Sequence, residues 1–249
     1  MRICAINPNT TASMTDRIAV AARSVAGPDT DIVAVTSTMG PASIESHYDE
    51  ALAVPGVLDA ILTSQRSDSP ADAYLLACFG DPGLDAAREV APGPVIGIAE
   101  AAMHTASLLG RRFSVVTTLS RTIGRAEELA ERYGMAKHCR GFHACEVPVL
   151  ELETNPDTAA ILIEACGSAA ESDGSDAIVL GCAGMADLAH TISTKIGLPV
   201  IDGVAAGTVL LQSLITLGMA PSSSGELAPP GPKTYAGLLS RFGVPGAGI

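Results

Sequence analysis

Two cysteines of this chain lie in nearly the same local sequence. Cys78 falls within DAYLLACFGDPGL (residues 72–84) and Cys182 within DAIVLGCAGMADL (residues 176–188), so the two cysteines are 104 positions apart. A thiol can donate a proton and its thiolate can accept one. If the two segments face each other in the fold, one thiol lies on either side of a bound ligand. Such a pair could remove a proton from one face of a carbon atom and return a proton to the opposite face.

The similarity between the two halves extends well beyond the cysteines. The tripeptide Pro-Val-Ile occurs at residues 94–96 and again at residues 199–201. Upstream, RICAINPNT at residues 2–10 is echoed by RFSVVTTLS at residues 112–120. Several segments that recur in the same order indicate an internal duplication. We therefore expect the chain to fold into two similar halves.

Short apolar runs alternate with helical patterns throughout the repeat. This alternation predicts parallel strands joined by right-handed helical crossovers, and therefore an α/β fold. We expect two similar Rossmann-like lobes, related by pseudo-two-fold symmetry, with the active site in the cleft between them. The predicted strands span residues 3–6, 32–35, 73–77, 95–98, 113–117, 139–147, 177–181 and 200–201, and the predicted helices span residues 11–26, 49–67, 82–90, 100–109, 120–133, 157–171, 185–196 and 205–217.

The positions of the repeats also predict the domain boundaries. We expect the first lobe to contain residues 1–97 and to be completed by residues 208–249. The second lobe would then span residues 98–207. The chain would cross from one lobe to the other twice.

Small and polar residues cluster where the predicted strands end. Residues 7–10, 78–80, 117–118 and 182–184 all follow an apolar run directly. Ligands of parallel sheets bind beyond the carboxyl ends of the strands, where the amides of a following helix favour anions. We therefore expect the pKa of the two repeat cysteines to be lowered from about 8.5, with thiolate accessible near neutral pH.

A structural role is the alternative for any cysteine in an apolar run, because cysteine is often a small buried hydrophobe. We favour that role for Cys4 and Cys166. For Cys78 and Cys182 the position at a strand end, two residues before a glycine, favours chemistry.

A second group of residues has metal-ligand side chains. His138, Cys139, His143 and Cys145 lie in HCRGFHAC, but their spacing matches no CxxC or HxxxH pattern. We expect them to be packed or solvated side chains and expect no metal. The sequence also has no GxGxxG after a strand, no P-loop and no GxSxG elbow. These absences favour a mechanism without a cofactor.

Composition limits the function classes. The chain has 249 residues, 47% of them hydrophobic, and a net charge of −12. The negative charge argues against binding to nucleic acid or to an anionic membrane. No signal peptide or membrane span is evident, so we expect a cytoplasmic protein whose six cysteines are reduced.

Four ordered motifs carry a resemblance to a known family. They are INPNTTASM at residues 6–14, SIESHYDEA at residues 43–51, LLACFGDPGLDAARE at residues 75–89 and LGCAGM at residues 180–185. Together they resemble the Asp/Glu/hydantoin racemase superfamily, with hydantoin racemases nearest and allantoin racemases next. The resemblance implies two α/β lobes around a cleft, racemisation without a cofactor, a small-molecule substrate and a homo-oligomer.

The resemblance also implies roles for individual residues. Cys78 and Cys182 would be the acid-base pair acting at C5 of a 5-monosubstituted hydantoin, the first serving the D enantiomer and the second the L enantiomer. Ile44 and Phe79 would contact the 5-substituent. The groups expected to hold the ring and stabilise its oxyanion are the side chains of Asn7, Asn9, Thr117 and Thr118 and the amides around Phe79, Gly80, Ala183 and Gly184.

Other functions remain open. Racemases of free amino acids typically have a threonine after the second cysteine, whereas Phe79 and Ala183 follow the cysteines here, which disfavours aspartate or glutamate as substrate. The related arylmalonate decarboxylases keep only the second cysteine, so Cys78 disfavours a lyase. A small-molecule binding protein without catalysis is a further alternative. The sequence does not choose among alkyl, arylalkyl and ureido substituents at C5.

Overall fold

The structure, a computed structural model, describes residues 1–243 and contains two four-stranded parallel sheets. The first sheet has the order β2-β1-β3-β4 and the second has the order β6-β5-β7-β8, so the expected α/β fold with two similar lobes is confirmed. The strands are β1 (Arg2–Asn7), β2 (Asp31–Thr36), β3 (Ala73–Leu76), β4 (Val95–Gly97), β5 (Phe113–Thr117), β6 (Cys139–Ala144), β7 (Ala177–Leu180) and β8 (Val200–Ile201). The α-helices are α1 (Ala12–Val25), α2 (His47–Gln65), α3 (Leu84–Val90), α4 (Ile98–Leu109), α5 (Ile123–Arg132), α6 (Thr158–Asp173), α7 (Ala189–Ile196) and α8 (Gly203–Thr216).

The central strands are apolar because helices cover both of their faces. Every residue of β3, β5 and β7 is buried. Such continuous apolar runs are typical of parallel strands between two helical layers. The largest group of buried apolar side chains is continuous across both lobes and includes Ile3, Leu75, Met103, Phe113 and Val179.

Two helices cross between the lobes. Helix α4 follows the first sheet but packs against β7 of the second, and α8 follows the second sheet but packs against α1, β3 and β4. These contacts support the division into residues 1–97 plus 208–249 and residues 98–207, which we keep as a proposal. Residues 244–249 of that division lie outside the described part of the chain.

Side-chain caps fix the starts of α2 and α8. The Ser46 hydroxyl accepts from the Asp49 N–H at 3.2 Å and begins α2. The Asp202 carboxylate accepts from the N–H groups of Val204 and Ala205, both at 2.9 Å, and begins α8. Such caps satisfy amides that have no partner within the helix.

Several predicted elements differ from the structure in their bounds or in their type. The strand predicted over residues 139–147 ends at Ala144, because Glu146 takes a left-handed φ of 55°. The helix predicted over residues 82–90 begins only at Leu84, after Gly83 with a φ of 70°. The helix predicted over residues 185–196 is a 3-10 segment, Ala183–Leu188, followed by α7.

The histidine and cysteine group on and beside β6 makes separate contacts. His143 Nε2 lies 2.7 Å from Asp173 Oδ2, and Cys145 Sγ lies 3.6 Å from the Thr118 carbonyl oxygen. Within residues 1–243, no cluster of three or more His, Cys, Asp or Glu is arranged to hold a metal ion. Over the same residues, no helix is long and apolar enough to cross a membrane.

Candidate active site

The two repeat cysteines lie in equivalent loops of the two lobes. Cys78 follows β3 by two residues and Cys182 follows β7 by two residues. Each strand is the third in its sheet order, so the two loops leave corresponding edges of the two sheets. The duplicated sequence therefore places one thiol in each lobe at the same point of the fold.

Both thiols line one cavity of about 190 Å³ between the lobes. This volume is below the range of about 300–1,000 Å³ that is usual for drug-sized ligands, so the cavity suits a smaller molecule. Of the residues that the sequence singled out, those lining it are Asn9, Ile44, Cys78, Phe79, Gly80, Thr117, Thr118, Cys182 and Ala183.

Asn7 and Gly184 lie beside the cavity and are not among its lining residues. Asn7 is fully buried, and its side-chain amide donates to Asn9 Oδ1 at 2.8 Å and to Thr15 Oγ1 at 3.0 Å. It thereby holds the loop that presents Asn9. Gly184 reaches the site through its backbone N–H, which hydrogen-bonds to Cys182.

The environment raises the pKa of both thiols. Burial raises the pKa of Cys78 to about 12, which the N–H of Gly80 partly offsets. The charges of Cys182, Asp81 and Glu50 raise the pKa of Cys78 further. Burial likewise raises the pKa of Cys182 to about 11, against the lowering effect of the Gly184 N–H.

The expectation of a lowered thiol pKa was therefore wrong. Helix α3 begins at Leu84, six residues after Cys78, and a 3-10 segment follows Cys182, so neither thiol lies against the first turn of an α-helix. Without that dipole, the loss of hydration dominates and favours the neutral thiol. Both cysteines rest as thiols at neutral pH.

The two thiols also affect each other electrostatically. The charge of Cys182 contributes to the raised pKa of Cys78, as expected for groups that share one cavity. A thiolate on one side therefore favours the neutral thiol on the other. Proton transfer across a ligand requires this combination, in which one cysteine is a base and the other is an acid in the same cavity.

Threonines supply hydroxyl groups at the second-lobe side of the cavity. Thr117 Oγ1 lies 2.9 Å from Thr122 Oγ1 and 3.3 Å from the Gly181 carbonyl oxygen, to which it donates. Thr118 is buried beside it. With the backbone amides of the two cysteine loops, these groups suit a ligand that carries carbonyl and N–H groups in a compact ring.

Charged residues of the site were missed by the sequence analysis. Arg125 of α5 pairs with Glu50 of α2 at 2.6 Å, and Glu45 accepts from the Val149 N–H at 2.8 Å. Each of these contacts joins the two lobes. Further lining residues that the sequence analysis did not name are Met14, Ser46, His47, Ala77, Arg121, Thr122, Ala126 and Gly181.

A positional signal for some of these residues was present in the sequence. Arg121 and Thr122 lie in the segment that joins β5 to α5, and Arg125 lies in the first turn of α5, so reasoning from the carboxyl end of β5 could have included them. Glu45 lies nine residues and Glu50 fourteen residues after β2 ends at Thr36, and only the folded chain shows that they reach the cleft.

Two bacterial proteins are similar in sequence to this chain over nearly their whole length. The chain is 46% identical over 244 residues to a hydantoin racemase from Pseudomonas sp. (strain NS671), with 98% of this chain and 97% of the relative covered. It is also 46% identical over 238 residues to a hydantoin racemase from Rhizobium meliloti, covering 95% and 98% of the two chains.

A solved structure extends the similarity to three dimensions. An allantoin racemase from Klebsiella pneumoniae superposes with a TM-score of 0.94 at 48% identity, over 98% of this chain and 99% of the other.

A family model described as Asp/Glu/hydantoin racemase matches residues 3–211, a range that extends from β1 into α8 and includes both cysteine loops. The resemblance noted in the sequence is thereby confirmed, and the chain belongs to the Asp/Glu/hydantoin racemase family.

Proposed function

We propose that this protein racemises 5-monosubstituted hydantoins without a cofactor, with Cys78 and Cys182 as the two acid-base residues. The observation that carries the proposal is that these thiols, from equivalent loops of two lobes, line one small cavity. The named relatives support racemisation as the reaction and a hydantoin ring as the substrate.

The reaction removes one proton from C5 of the ring and adds another proton to the opposite face of the same carbon. The thiolate of one cysteine takes the C5 hydrogen: the C5–H bond breaks, an S–H bond forms, and the electron pair moves into an enolate conjugated with the C4 carbonyl. The thiol of the other cysteine then donates its proton to the opposite face of C5. That cysteine is left as thiolate, so the two protonation states are exchanged and must be reset before the next turnover of the same enantiomer.

The loops around the thiols are suited to hold the enolate. N–H groups and hydroxyls aimed at a developing oxyanion stabilise it most in a site from which water is excluded. Thr117, Thr118 and the amides of the Phe79–Gly80 and Ala183–Gly184 segments are the groups we propose for this role. Asn9 lines the same cavity, and Asn7 holds the side chain of Asn9 by a hydrogen bond.

Ile44 and Phe79 are the residues we propose to contact the 5-substituent. Both belong to the first lobe and line the cavity, as does Met14. This apolar wall favours an uncharged substituent.

Allantoin, the hydantoin with a ureido group at C5, is a second candidate substrate. The 48% identity to the Klebsiella pneumoniae allantoin racemase over nearly the whole chain favours it. The chemistry at C5 is the same for both, so the choice concerns only the substituent. We also expect a homo-oligomer located in the cytoplasm.

Incubation with optically pure hydantoins in deuterated water tests the proposal. The enzyme should incorporate deuterium at C5 while the optical rotation decays to zero, and a panel of 5-alkyl, 5-arylalkyl and 5-ureido compounds ranks the substrates. Cys166→Ser, which changes a buried cysteine away from the cavity, is the matched control and should keep activity. Binding of every panel member without exchange would contradict racemisation.

A further inference from the structure

An arginine from each lobe reaches across the cleft to the cysteine loop of the other lobe. Arg125 of α5, in the second lobe, donates from Nε and Nη2 to the Gly80 carbonyl oxygen at 3.2 and 2.9 Å. The same guanidinium pairs with Glu50 of the first lobe at 2.6 Å. Arg125 is therefore held by a carboxylate and in turn holds the loop of Cys78.

Arg17 makes the corresponding contacts in the opposite direction. From α1, in the first lobe, its Nη1 donates to the Gly184 carbonyl oxygen at 3.4 Å. Its Nε pairs with Glu153 of the second lobe at 2.7 Å. The carbonyl contact is longer than that of Arg125, so the second clamp is the weaker one.

The two clamps repeat with the internal duplication. Arg17 lies on α1, which follows β1, and Arg125 lies on α5, which follows the equivalent strand β5. Their respective targets, Gly184 and Gly80, are the equivalent glycines of the two cysteine loops. Both guanidinium side chains are about three-quarters buried, with exposed fractions of 28% and 25%. Ion pairs on an exposed surface contribute little, but charge-assisted bonds shielded from water are stronger and more directional.

Each clamped glycine also touches a catalytic sulfur. The N–H of Gly80 hydrogen-bonds to Cys78 and the N–H of Gly184 hydrogen-bonds to Cys182.

The planar peptide unit that contains each clamped carbonyl also contains the N–H of the next residue. The Asp81 N–H donates to the Cys78 carbonyl oxygen at 3.0 Å. The Met185 N–H donates in the same way to the Cys182 carbonyl oxygen at 3.1 Å. An arginine that holds the glycine carbonyl is therefore connected to the backbone of the cysteine, and so to the position of its thiol, through one rigid peptide unit.

We propose that Arg17 and Arg125 are positioning residues, each fixing the catalytic thiol of the opposite lobe through the glycine it clamps. This inference rests on the proposed two-cysteine racemisation. It assigns Arg125 to Cys78 and Arg17 to Cys182. Arg17 does not line the cavity, so its effect cannot come from contact with the substrate.

The assignment predicts defects that depend on the enantiomer. A displaced Cys78 fails to remove the C5 hydrogen that faces it, whereas Cys182 still removes the hydrogen of the mirror-image substrate and can return solvent deuterium to the same face. Deuterium incorporation without inversion therefore reports each thiol separately. Cys78→Ser and Cys182→Ser provide the reference patterns, because each leaves one base.

The experiment measures the rate of deuterium incorporation at C5, starting from each pure enantiomer, in Arg125→Met and Arg17→Met. Arg125→Met should reproduce the enantiomer pattern of Cys78→Ser, with about a 10- to 100-fold loss for one enantiomer and little change for the other. Arg17→Met should show the opposite pattern, with a smaller loss. Arg125→Lys, which keeps the charge opposite Glu50, should recover part of the rate and serves as the test variant if Arg125→Met does not fold.

Two control variants test whether the loss of any charged side chain on α1 or α5 is enough to reduce the exchange rate. Arg23→Met removes an arginine of α1 that donates to a carbonyl within its own lobe, Ile32 at 3.1 Å. Glu128→Gln removes the exposed partner of Arg125 on α5. Both should keep wild-type rates for both enantiomers.

Equal loss for the two enantiomers in the arginine variants, or a pattern matching the wrong cysteine, would overturn the positioning roles. If the wild-type protein itself incorporates no deuterium, the proposed racemisation fails instead, so the two failures are distinguishable.

Discussion

The thiols of the site are neutral at rest because they lie in a cavity and close to acidic groups. The charges of Asp81 and Glu50 oppose a thiolate at Cys78, and Glu45 opposes one at Cys182. The neutral thiol is itself a weak base. Its raised pKa, however, means that the thiolate, once formed, is a strong base. Removal of a carbon-bound hydrogen needs a strong base, so the raised pKa values favour the chemistry once a thiolate has formed.

The pH dependence of the initial rate follows from these pKa values. In the proposed mechanism the active form of the enzyme carries one thiolate, and the fraction of this form rises about tenfold per pH unit well below the pKa of either thiol. With pKa values of about 12 and about 11, kcat/KM should rise continuously from neutral to mildly alkaline pH. Polarimetric initial rates, corrected for the racemisation seen with Cys78→Ser, would measure the profile. A rate that is already constant at neutral pH would show that the thiolate is far more accessible than the cavity suggests.

The element-scale features of the site follow largely from the order of strands and helices. Short apolar runs in the sequence predicted the bounds of seven of the eight strands closely. The expectation that ligands bind beyond the carboxyl ends of parallel strands correctly grouped Asn9, Cys78, Thr117 and Cys182, which line one cavity. The pKa of the thiols was not predictable, because it depends on burial and on charges such as Glu50 that other segments supply. The supporting position of Asn7 likewise depends on Thr15, a contact that strand order does not specify.

The loop after Cys78 is joined to the start of α4 by Asp81. Its carboxylate accepts from the N–H groups of Ala99 and Glu100 at 3.1 and 3.0 Å and from the Tyr133 hydroxyl at 2.7 Å. Asp81 has a left-handed φ of 45°, a conformation that aspartate and asparagine tolerate better than alanine.

Replacement of Asp81 should therefore destabilise the fold. Asp81→Ala leaves buried amides and a hydroxyl without an acceptor and should lower the free energy of unfolding by about 1–3 kcal/mol. Asp81→Asn keeps an acceptor and should recover part of the loss. Urea unfolding curves measure both, with Asp202→Ala, which removes the cap of α8, for comparison. An Asp81→Ala protein as stable as the wild type would contradict the role of this carboxylate.

The two lobes share one apolar core. The crossing helices α4 and α8 pack against each other and against both sheets. The beginnings of these helices meet closely: a methyl group at Gly203 would overlap the carbonyl oxygen and Cβ of Ile98. The sequence repeat predicted two lobes, but the closeness of this junction depends on backbone positions that no residue pattern encodes.

A methyl group added at this junction should destabilise the fold. Gly203→Ala would push the starts of α4 and α8 apart and should reduce the free energy of unfolding by about 1–3 kcal/mol, the usual cost of overpacking. Gly167→Ala in α6 is the matched control, because its methyl would meet only Ile196 at an ordinary 3.8 Å, and alanine is the better helix former. Thermal unfolding of the two variants makes the comparison. If Gly203→Ala is as stable as the wild type, the starts of α4 and α8 can separate without a loss of stability, and the prediction is contradicted.

We propose that two thiols, one from each lobe, act on opposite faces of one carbon atom. The most direct test measures deuterium incorporation at C5 and decay of optical rotation for each pure enantiomer with Cys78→Ser and Cys182→Ser. Racemisation should be lost in both variants, while each variant should retain exchange for one enantiomer only, Cys78→Ser for the L form and Cys182→Ser for the D form. Full racemisation by either variant, or exchange of the same enantiomer by both, would contradict the two-base account.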